Sequence, residues 1–462
     1  MAASTRTPNT ELAALIAEAR WSNGNLARAV NRLGAEAGLQ LSYDDSAVCH
    51  WLSGTLPRPS IRPLVCEALA RRLHRPITPA DAGLGPAYLP PGPTDPTWLG
   101  LGTDIVARLI DLARADMDPT RRALLGLGLY SAALVIPGWP EVSQRFQRLR
   151  RDPHTHIGQQ EVDSVRAMTD HLSSLDDQFG GRAVRPLAAA FMVNTIAPYL
   201  RAEAREDIGI QMLSAAADHC YLTGYMAADE GIEGLAQHYY LQAIELAGHA
   251  GDHLTYCTTL RGMSVQAVDL RHSTTAVQLA DAAAAASPQA GPRMLAFLAG
   301  QQAHAAAQYG DRNQALTKLR EAETALDRAE SRAKALGSYD PAAMSYHISQ
   351  VHYELGDLGN SIAAMEQSDR IRPPVYRRIR IRNLGILAER KLAAGRLEEA
   401  CRDWGRMFDD YPAVQSGWCD RRYQTMMTEL RRYQRNPHAR DLYERGQAHH
   451  NHVRGPNPGP HP

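Results

Sequence analysis

The chain has 462 residues, with 50 Lys and Arg, 50 Asp and Glu, and therefore no formal net charge. This length is enough for two or three domains, and zero net charge excludes a chain-wide attraction to nucleic acid or to membranes. The six Cys form no C-x-x-C pair, so neither a disulfide framework nor a zinc ribbon is indicated. The sequence also lacks a signal-peptide pattern and an 18-residue apolar run. These features predict a soluble protein of the reducing cytoplasm with no membrane partner.

Residues 9–75 predict a small helical bundle. Apolar residues recur at helical spacing over 11–20, from about Asn23 or Asn25 onward, and over 64–73. The stretch YDDSAVCHWLSGTLPRP, residues 43–59, predicts a short helix with Asp44 as its N-cap and Gly54 at its end. Together these helices have the size and order of a helix-turn-helix DNA-binding domain. The connection before the short helix, residues 34–42, departs from that motif, because it is longer than the tight turn of a typical helix-turn-helix.

One face of that short helix is apolar, and the other carries small or polar side chains that suit the major groove. Cations beyond the helix and amides at the start of the second helix would meet phosphates. The segment 1–75 holds nine Arg and six acidic residues, a modest surplus of +3 for phosphate contact. Asp45 could accept from a cytosine amino group, or it could indicate a bundle used only for protein contact. The predicted DNA-binding residues are Asn23, Asn25, Tyr43, Asp45, Ser46, Cys49, His50, Arg58 and Arg62.

Residues 76–96 contain seven prolines, which predicts an extended linker. Residues 97–230 read as helical, with breaks at Pro and Gly pairs, and are interpreted as degenerate repeats. Residues 447–462 are rich in His, Gly and Pro and predict a disordered tail. A metal site in this tail is possible from the composition but is not expected, and no cofactor is expected anywhere in the chain.

Residues 231–446 repeat. A turn-like position is followed five residues later by a small residue that begins a second helix, at spacings of 40, 39, 46 and 39 residues. Each helix pair cannot bury its apolar face alone, so stacking should produce a curved solenoid. The predicted fold is all-α, a helix-turn-helix bundle followed by an α-solenoid of tetratricopeptide-like helix pairs, with an irregular helical bundle as the alternative. The turn positions are Gly231, Arg271, Gly310, Gly356 and Gly395.

The concave side of such an array would bind a peptide, a small molecule or a partner protein. Tyrosines could line it, although tyrosines at helical spacing also serve as packing residues. A run of arginines near the Pro373-Pro374 break could hold an anionic group, or could be an ordinary solvated helix face. The candidate ligand residues are Tyr239, Tyr309, Tyr346, Tyr353, Arg377, Arg378 and Arg380.

The chain resembles actinobacterial transcriptional regulators that join an N-terminal Cro/repressor-type helix-turn-helix to C-terminal tetratricopeptide repeats. The resemblance depends on a combination of motifs. WLSGTLPRP and CEALARRLHRPITPADAGL lie in the N-terminal part of the chain, and MAADEGIEGLAQHYYLQAIELA and YELGDLGNSIAAMEQS lie in the repeats. It implies control of development, sporulation or antibiotic production, often by repression.

No Walker, Rossmann, zincin or nucleophile-elbow motif occurs, so an enzyme is not expected. The sequence favours a DNA-binding transcriptional regulator, with double-stranded DNA as one partner. Its repeat domain would bind a peptide, a small molecule or a protein, or would form a homodimer. The alternative is a repeat-based interaction scaffold that does not bind DNA.

Overall fold

The computed structural model describes residues 7–36, 39–85, 104–118, 130–132, 134, 136–144, 152–286, 290–329 and 339–454. Within these ranges the chain is almost entirely helical, and its helices pack in adjacent pairs. The prediction of an all-α protein with a solenoid of helix pairs is therefore confirmed. Residues 119–129, within the segment that is expected to be helical, and the greater part of the proline-rich segment lie outside the described residues.

The head is a bundle of four helices around one apolar core. Asn9 begins α1, because its side chain accepts a hydrogen bond of 2.8 Å from the Leu12 amide. Trp51 and Val48 reach the core from α3, and α4 contributes an almost continuously buried stretch. The helices are α1 (Thr10–Glu18), α2 (Asn23–Glu36), α3 (Asp45–Leu52) and α4 (Arg62–Leu73).

The head extends to Gly85, beyond the boundary at residue 75 that the prolines suggested. Ile77, Ala82 and Leu84 are buried in the same core as α1 to α4. The Asn9 side chain also donates to the Ala82 carbonyl at 2.9 Å, which ties the end of the head to its beginning. Residues 76–85 are therefore a folded cap, because their few apolar side chains are enough to anchor them.

Between the head and the repeats lies a group of helices with one short parallel pair of strands. Apolar residues buried at helical spacing hold Ile105–Met117 against Gly181–Phe191, and Gln159–Phe179 against both Gly181–Phe191 and Glu206–Glu230. A π-helical turn, Met192–Ile196, joins α8 to α9. The elements are α5 (Ile105–Met117), α6 (Trp139–Gln144), β1 (Asp152–His156), α7 (Gln159–Phe179), α8 (Gly181–Phe191), α9 (Ala197–Arg201) and β2 (Ala202–Glu203).

Five helix pairs follow, and the first begins at Glu206, because the turn at Gly231 lies inside a pair. The first helices of neighbouring pairs pack on one another, α10 with α12, α12 with α14 and α14 with α16, so they line the inner side of the array. The pairs are α10 (Glu206–Glu230) with α11 (Glu233–Ala250), α12 (His253–Asp269) with α13 (Ser273–Ala285), α14 (Pro292–Tyr309) with α15 (Arg312–Asp327), α16 (Pro341–Glu354) with α17 (Leu358–Ile371), and α18 (Arg377–Ala393) with α19 (Leu397–Asp410).

All five predicted turn positions have a left-handed backbone. Four are glycines, with φ between +76° and +97°, and the fifth is Arg271 with φ +64°. A side chain at positive φ costs of the order of 1 kcal/mol, which is why glycine is preferred at the end of a helix. Arg271 is therefore the strained exception in an otherwise regular series.

The array closes on its own beginning. Helix α18 packs against α7, and α20 (Gly417–Leu430) packs against α10. The Gln415 amide donates to the Phe179 carbonyl at 2.7 Å, and the Arg182 amide donates to the Gln415 carbonyl at 3.1 Å. The Ser416 hydroxyl donates to the Asp229 carboxylate at 2.5 Å. These contacts make the repeats a closed, strongly curved body instead of an open groove.

The last helix, α21 (Pro437–Arg454), continues through the first half of the expected tail. His449 packs edge-on against Phe408 and Tyr411, with ring centroids 5.7 and 5.6 Å apart. Residues 455–462 lie outside the described part of the chain. In the described helices, none combines the length and the apolar character that a bilayer span requires.

Candidate nucleic-acid interface

Helix α3 is built as its sequence predicts. The Asp44 carboxylate accepts from the Ala47 amide at 3.0 Å, which satisfies one of the free donors of the first turn. Gly54 takes φ +93° after the last turn. Val48 and Trp51 are buried, at 0 % and 5 % exposure, so the orientation of the helix around its axis is fixed by the core.

The position of α3 against α2 is set by a side-chain clamp. Asn31 on α2 donates to the Tyr43 carbonyl and accepts from the Tyr43 amide, both at 2.8 Å. The Tyr43 ring packs edge-to-face on Trp51, with centroids 5.2 Å apart. Tyr43, predicted to contact DNA, is therefore half-buried and serves to hold the connection before α3.

Helices α2 and α3 approach closely at their N-terminal ends. A Cβ atom placed on Gly24 would lie 2.3 Å from Oδ1 of Asp45, so only glycine fits there without a shift of that carboxylate. The Asn23 amide donates to the sulfur of Cys49 at 3.2 Å. These contacts bring the start of α2 and the outer face of α3 together.

The outer face of α3 is open to solvent within the described part of the chain. Asp45, Ser46, Cys49 and His50 are all exposed. Cys49 is also the one exposed cysteine, since the five others are buried. The structure therefore brings the four predicted base-contacting side chains into one ridge that nothing covers within the described residues.

The flanking cations have different roles. Arg58 is exposed and available to a phosphate. Arg62 is half-buried, and its Nε donates to the Pro57 carbonyl at 3.1 Å, so it fastens the turn between α3 and α4. Arg28 was not predicted, yet it is exposed beside the ridge and donates to Oδ1 of Asn25 at 2.5 Å. Its position one helical turn after Asn25 could have identified it.

The opposite side of the head is attached to the array through α4. Nε2 of His272 lies 3.1 Å from Oε1 of Glu67, and both side chains are buried. Nδ1 of His74 donates to the Arg271 carbonyl at 2.7 Å. The His272 ring stacks on Tyr130, with centroids 5.1 Å apart. The head is thus docked on the turn of the second helix pair, with α3 left free.

A partly buried charge network supports this docking. Arg71 pairs with Glu67 at 2.8 Å and with Glu36 at 2.9 Å. Burial alone would lower the pKa of Arg71, but the two carboxylates outweigh it and raise that pKa. Glu233 lies nearby on α11, where burial raises its pKa to about 7. Because these charged groups are partly removed from water, the loss of one would leave its partners without a compensating charge.

Two of the four predicted ligand tyrosines are accessible to a ligand. Tyr239 is fully buried and its hydroxyl donates to Asp116 at 3.0 Å, so it is a packing residue and cannot line an open surface. Tyr309 and Tyr353 are 59 % and 44 % exposed. Tyr346 is half-buried, and its hydroxyl accepts from Gln350 at 2.8 Å.

The arginines at 377–380 are mostly engaged in the protein's own ion pairs. Arg378 is 2 % exposed, and its Nη2 lies 2.8 Å from Asp176 and 3.1 Å from Asp177. Arg380 pairs with Asp410 at 3.1 Å, whereas Arg377 is exposed. Arg378 is therefore neither a solvated residue nor a ligand contact, because it closes the array onto α7.

Among the described residues, no group of three or more His, Cys, Asp or Glu side chains is arranged to hold a metal ion.

One family model matches the chain, described as the SP15 N-terminal domain, over residues 12–85. The match ends at the residue where the described head ends, so the two boundaries support one another. Neither the curated proteins nor the solved structures give a match to the chain. The similarity is thus to the head alone, and its description assigns no activity.

Proposed function

We propose that this protein is a sequence-specific DNA-binding transcriptional regulator, acting as a repressor, whose repeat array reads a ligand or dimerises the protein. The observation that supports it most is the exposed ridge of Asp45, Ser46, Cys49 and His50 on α3. Small polar side chains on a helix of this size can reach base edges in the major groove. The helix is also held rigidly by its cap, its core contacts and the Asn31 clamp, so the ridge is preorganised.

The docking geometry is compatible with DNA binding. The head contacts the array through α4, and no described residue of the array covers any of the four ridge residues. Exposed Arg28 and Arg58 flank the ridge, where they would meet phosphates. A single small head buries little surface on DNA, so tight binding calls for two heads, with half-sites about one helical turn apart.

An interaction scaffold that does not bind DNA is the second candidate. The observation in its favour is the exposed carboxylate of Asp45 within the ridge, since an anion there repels phosphates and accepts only from an amino group such as that of cytosine. A scaffold would use the same ridge to contact a protein.

Selection of genomic fragments by the full-length protein, followed by fluorescence anisotropy over a salt series, separates the two candidates. A regulator should bind a subset of fragments, with affinity that falls steeply as salt rises. Arg58→Ala should weaken binding to all fragments and reduce the salt slope by about one. His50→Ala should instead change the preferred sequence, by about 1–3 kcal/mol at one base pair.

Arg432→Ala provides the matched control, because this exposed arginine lies in the C-terminal part of the chain and, among the described residues, forms an ion pair with Glu429 alone. It should bind DNA as the unaltered protein does. A scaffold would show no sequence preference and no difference between Arg58→Ala and Arg432→Ala.

A further inference from the structure

A groove of about 390 Å³ lies between α19, the outer helix of the last pair, and the C-terminal helix α21. This volume is within the range of about 300–1,000 Å³ that is usual for sites that bind small molecules. The residues that each helix contributes are spaced three or four apart, so each helix presents one face to the groove. The lining residues include Glu398, Arg402, Gly405 and Asp409 on α19, and Asp441 and Arg445 on α21.

Gly405 lies in the middle of α19, and its lack of a side chain keeps one wall of the groove open. A Cβ atom added there would meet no atom within 4 Å, so the packing of the protein does not require glycine at this position. The backbone does not require it either, because Gly405 is not among the glycines with positive φ. Glycine inside a helix is destabilising relative to alanine. The residue is therefore unfavourable for the helix and favourable for the groove.

Two cations of the groove are already held by carboxylates of the protein. Arg406 also lines the groove, and it pairs with Asp369 at 2.5 Å and with Asp403 at 3.4 Å. Arg445 pairs with Asp409 at 2.9 Å, which joins α21 to α19 across the groove. The charges of these two arginines are compensated, and their ion pairs hold the sides of the groove in place.

Three further charged side chains of the groove are left open. Glu398, Arg402 and Asp441 are exposed, and among the described residues none of them forms an ion pair or a side-chain hydrogen bond. Glu398 and Arg402 lie one helical turn apart on α19, whereas Asp441 lies on α21 beside His438, which lines the same wall. The groove therefore offers one guanidinium and two carboxylates to whatever occupies it.

We infer that this groove binds a small molecule with two ammonium groups and one carboxylate, that is, a basic amino acid. The carboxylate of the ligand would pair with the planar fork of Arg402, and its ammonium groups would pair with Glu398 and Asp441. A simple anion would be repelled by the two carboxylates, and a simple cation would leave Arg402 without a partner. The absence of a side chain at Gly405 leaves room for the aliphatic chain between these charges.

The groove lies on the outer helix of the last pair, and not on the inner side of the array where a ligand was expected. Its biological meaning rests on the proposed role of the array in reading a ligand. Its chemistry does not depend on DNA, because none of its lining residues belongs to the head.

Isothermal titration calorimetry of the full-length protein without DNA tests the site, with L-lysine as the probe. Because the open charges are exposed to water, we expect saturable binding with a Kd of the order of 1 mM. Cadaverine lacks the carboxylate and L-norleucine lacks the side-chain ammonium, so each should bind about tenfold or more weakly than lysine. Equal binding of the three probes would overturn the assignment of the charges.

Substitutions in the groove should change the three affinities selectively. Arg402→Gln should weaken lysine about tenfold and leave cadaverine unchanged, because cadaverine has no carboxylate for Arg402 to bind. Asp441→Asn should weaken lysine and cadaverine alike. Arg320→Gln is the control for the loss of a positive charge, because Arg320 is exposed on the outer helix α15, and it should bind lysine unchanged.

Gly405→Leu tests the room in the groove. It should abolish lysine binding without lowering the melting temperature, because leucine is a better helix former than glycine. Gly359→Leu is the matched control, since a Cβ atom at Gly359 also meets nothing within 4 Å but Gly359 lies on α17, outside the groove.

The inference is overturned if lysine does not bind saturably below roughly 10 mM. It is also overturned if Arg402→Gln and Gly405→Leu, shown to be folded by circular dichroism, bind lysine as the unaltered protein does. Because no DNA is present in these titrations, their failure leaves the DNA-binding proposal untouched, and a failure of DNA binding leaves this site untouched.

Discussion

Replacement of Arg378 by leucine should open the closed array, and the cost should depend on pH. The guanidinium pairs with Asp176 and Asp177, donates to the Tyr225 hydroxyl at 3.3 Å and lies 5.0 Å over that ring. Asp176 is also only 2 % exposed, so the substitution leaves a carboxylate buried without its cation. Breaking a buried ion pair on one side costs about 3–5 kcal/mol.

Protonation of Asp176 limits that cost at lower pH. Burial, with smaller contributions from the nearby carboxylates of Asp229 and Asp177, raises the pKa of Asp176 to about 7 even against the opposing charge of Arg378. In Arg378→Leu the opposing charge is gone, so the pKa must rise above that value. Between about pH 4 and the raised pKa, Asp176 is protonated in the folded state and ionised in the unfolded state, so stability falls as pH rises through this range. The range extends above pH 7 only in the variant. The free energy of unfolding that the variant has lost relative to the unaltered protein should therefore grow between pH 6 and pH 8.5.

Urea denaturation followed by circular dichroism, at pH 6 and at pH 8.5, measures this effect. We expect a loss of about 3–5 kcal/mol at pH 8.5, and a loss nearer 1–3 kcal/mol at pH 6, where Asp176 is neutral. The double variant Asp176→Asn with Arg378→Leu should be more stable than Arg378→Leu at pH 8.5 and should lose the pH dependence. A loss that is equal at the two pH values, or below about 1 kcal/mol at pH 8.5, would refute the role assigned to Arg378.

Substitutions at three further positions test the head and its docking. Asn31→Ala removes both hydrogen bonds to Tyr43, so the head should lose about 1–3 kcal/mol in urea unfolding, whereas Asn31→Asp keeps one acceptor and should lose less. Arg271→Gly and Arg271→Ala both lose the ion pair with Glu354, but only glycine relieves the strain of the positive φ. Arg271→Gly should therefore be more stable than Arg271→Ala by about 1 kcal/mol and melt at a higher temperature. Equal melting temperatures would contradict the strain. His272→Ala leaves Glu67 without its partner in the array, so limited proteolysis should release the head faster, and an unchanged cleavage rate would argue against this docking.

Local features of this protein could be predicted from its sequence, because their causes lie within a few residues. The Asp44 cap, the Gly54 stop and the five turn positions each depend on backbone preferences at one site. The predicted ridge on α3 also follows from helical periodicity, since burial of Val48 and Trp51 determines which residues remain outside.

Long-range features could not be predicted. The partner of Arg378 lies some 200 residues earlier in the chain, and His272 contacts Glu67 across a similar separation. No local pattern marks such pairs, because they arise only once the helices have stacked and the array has closed. The folding of residues 76–85 onto the head could not be predicted for a related reason. Their prolines are typical of an extended linker, and no local pattern shows that three apolar residues among them pack in the head core.

Protection of Cys49 from alkylation tests the central claim most directly. Cys49 lies in the α3 ridge and is the one exposed cysteine, so N-ethylmaleimide should modify it selectively in the native full-length protein. With a saturating amount of a selected genomic fragment at low ionic strength, its alkylation should slow by about tenfold or more, because a bound duplex covers the ridge, and prior alkylation should block DNA binding. If the protein binds the fragment while Cys49 reacts at its free rate, or if no genomic fragment binds at all, α3 is not a DNA-reading helix.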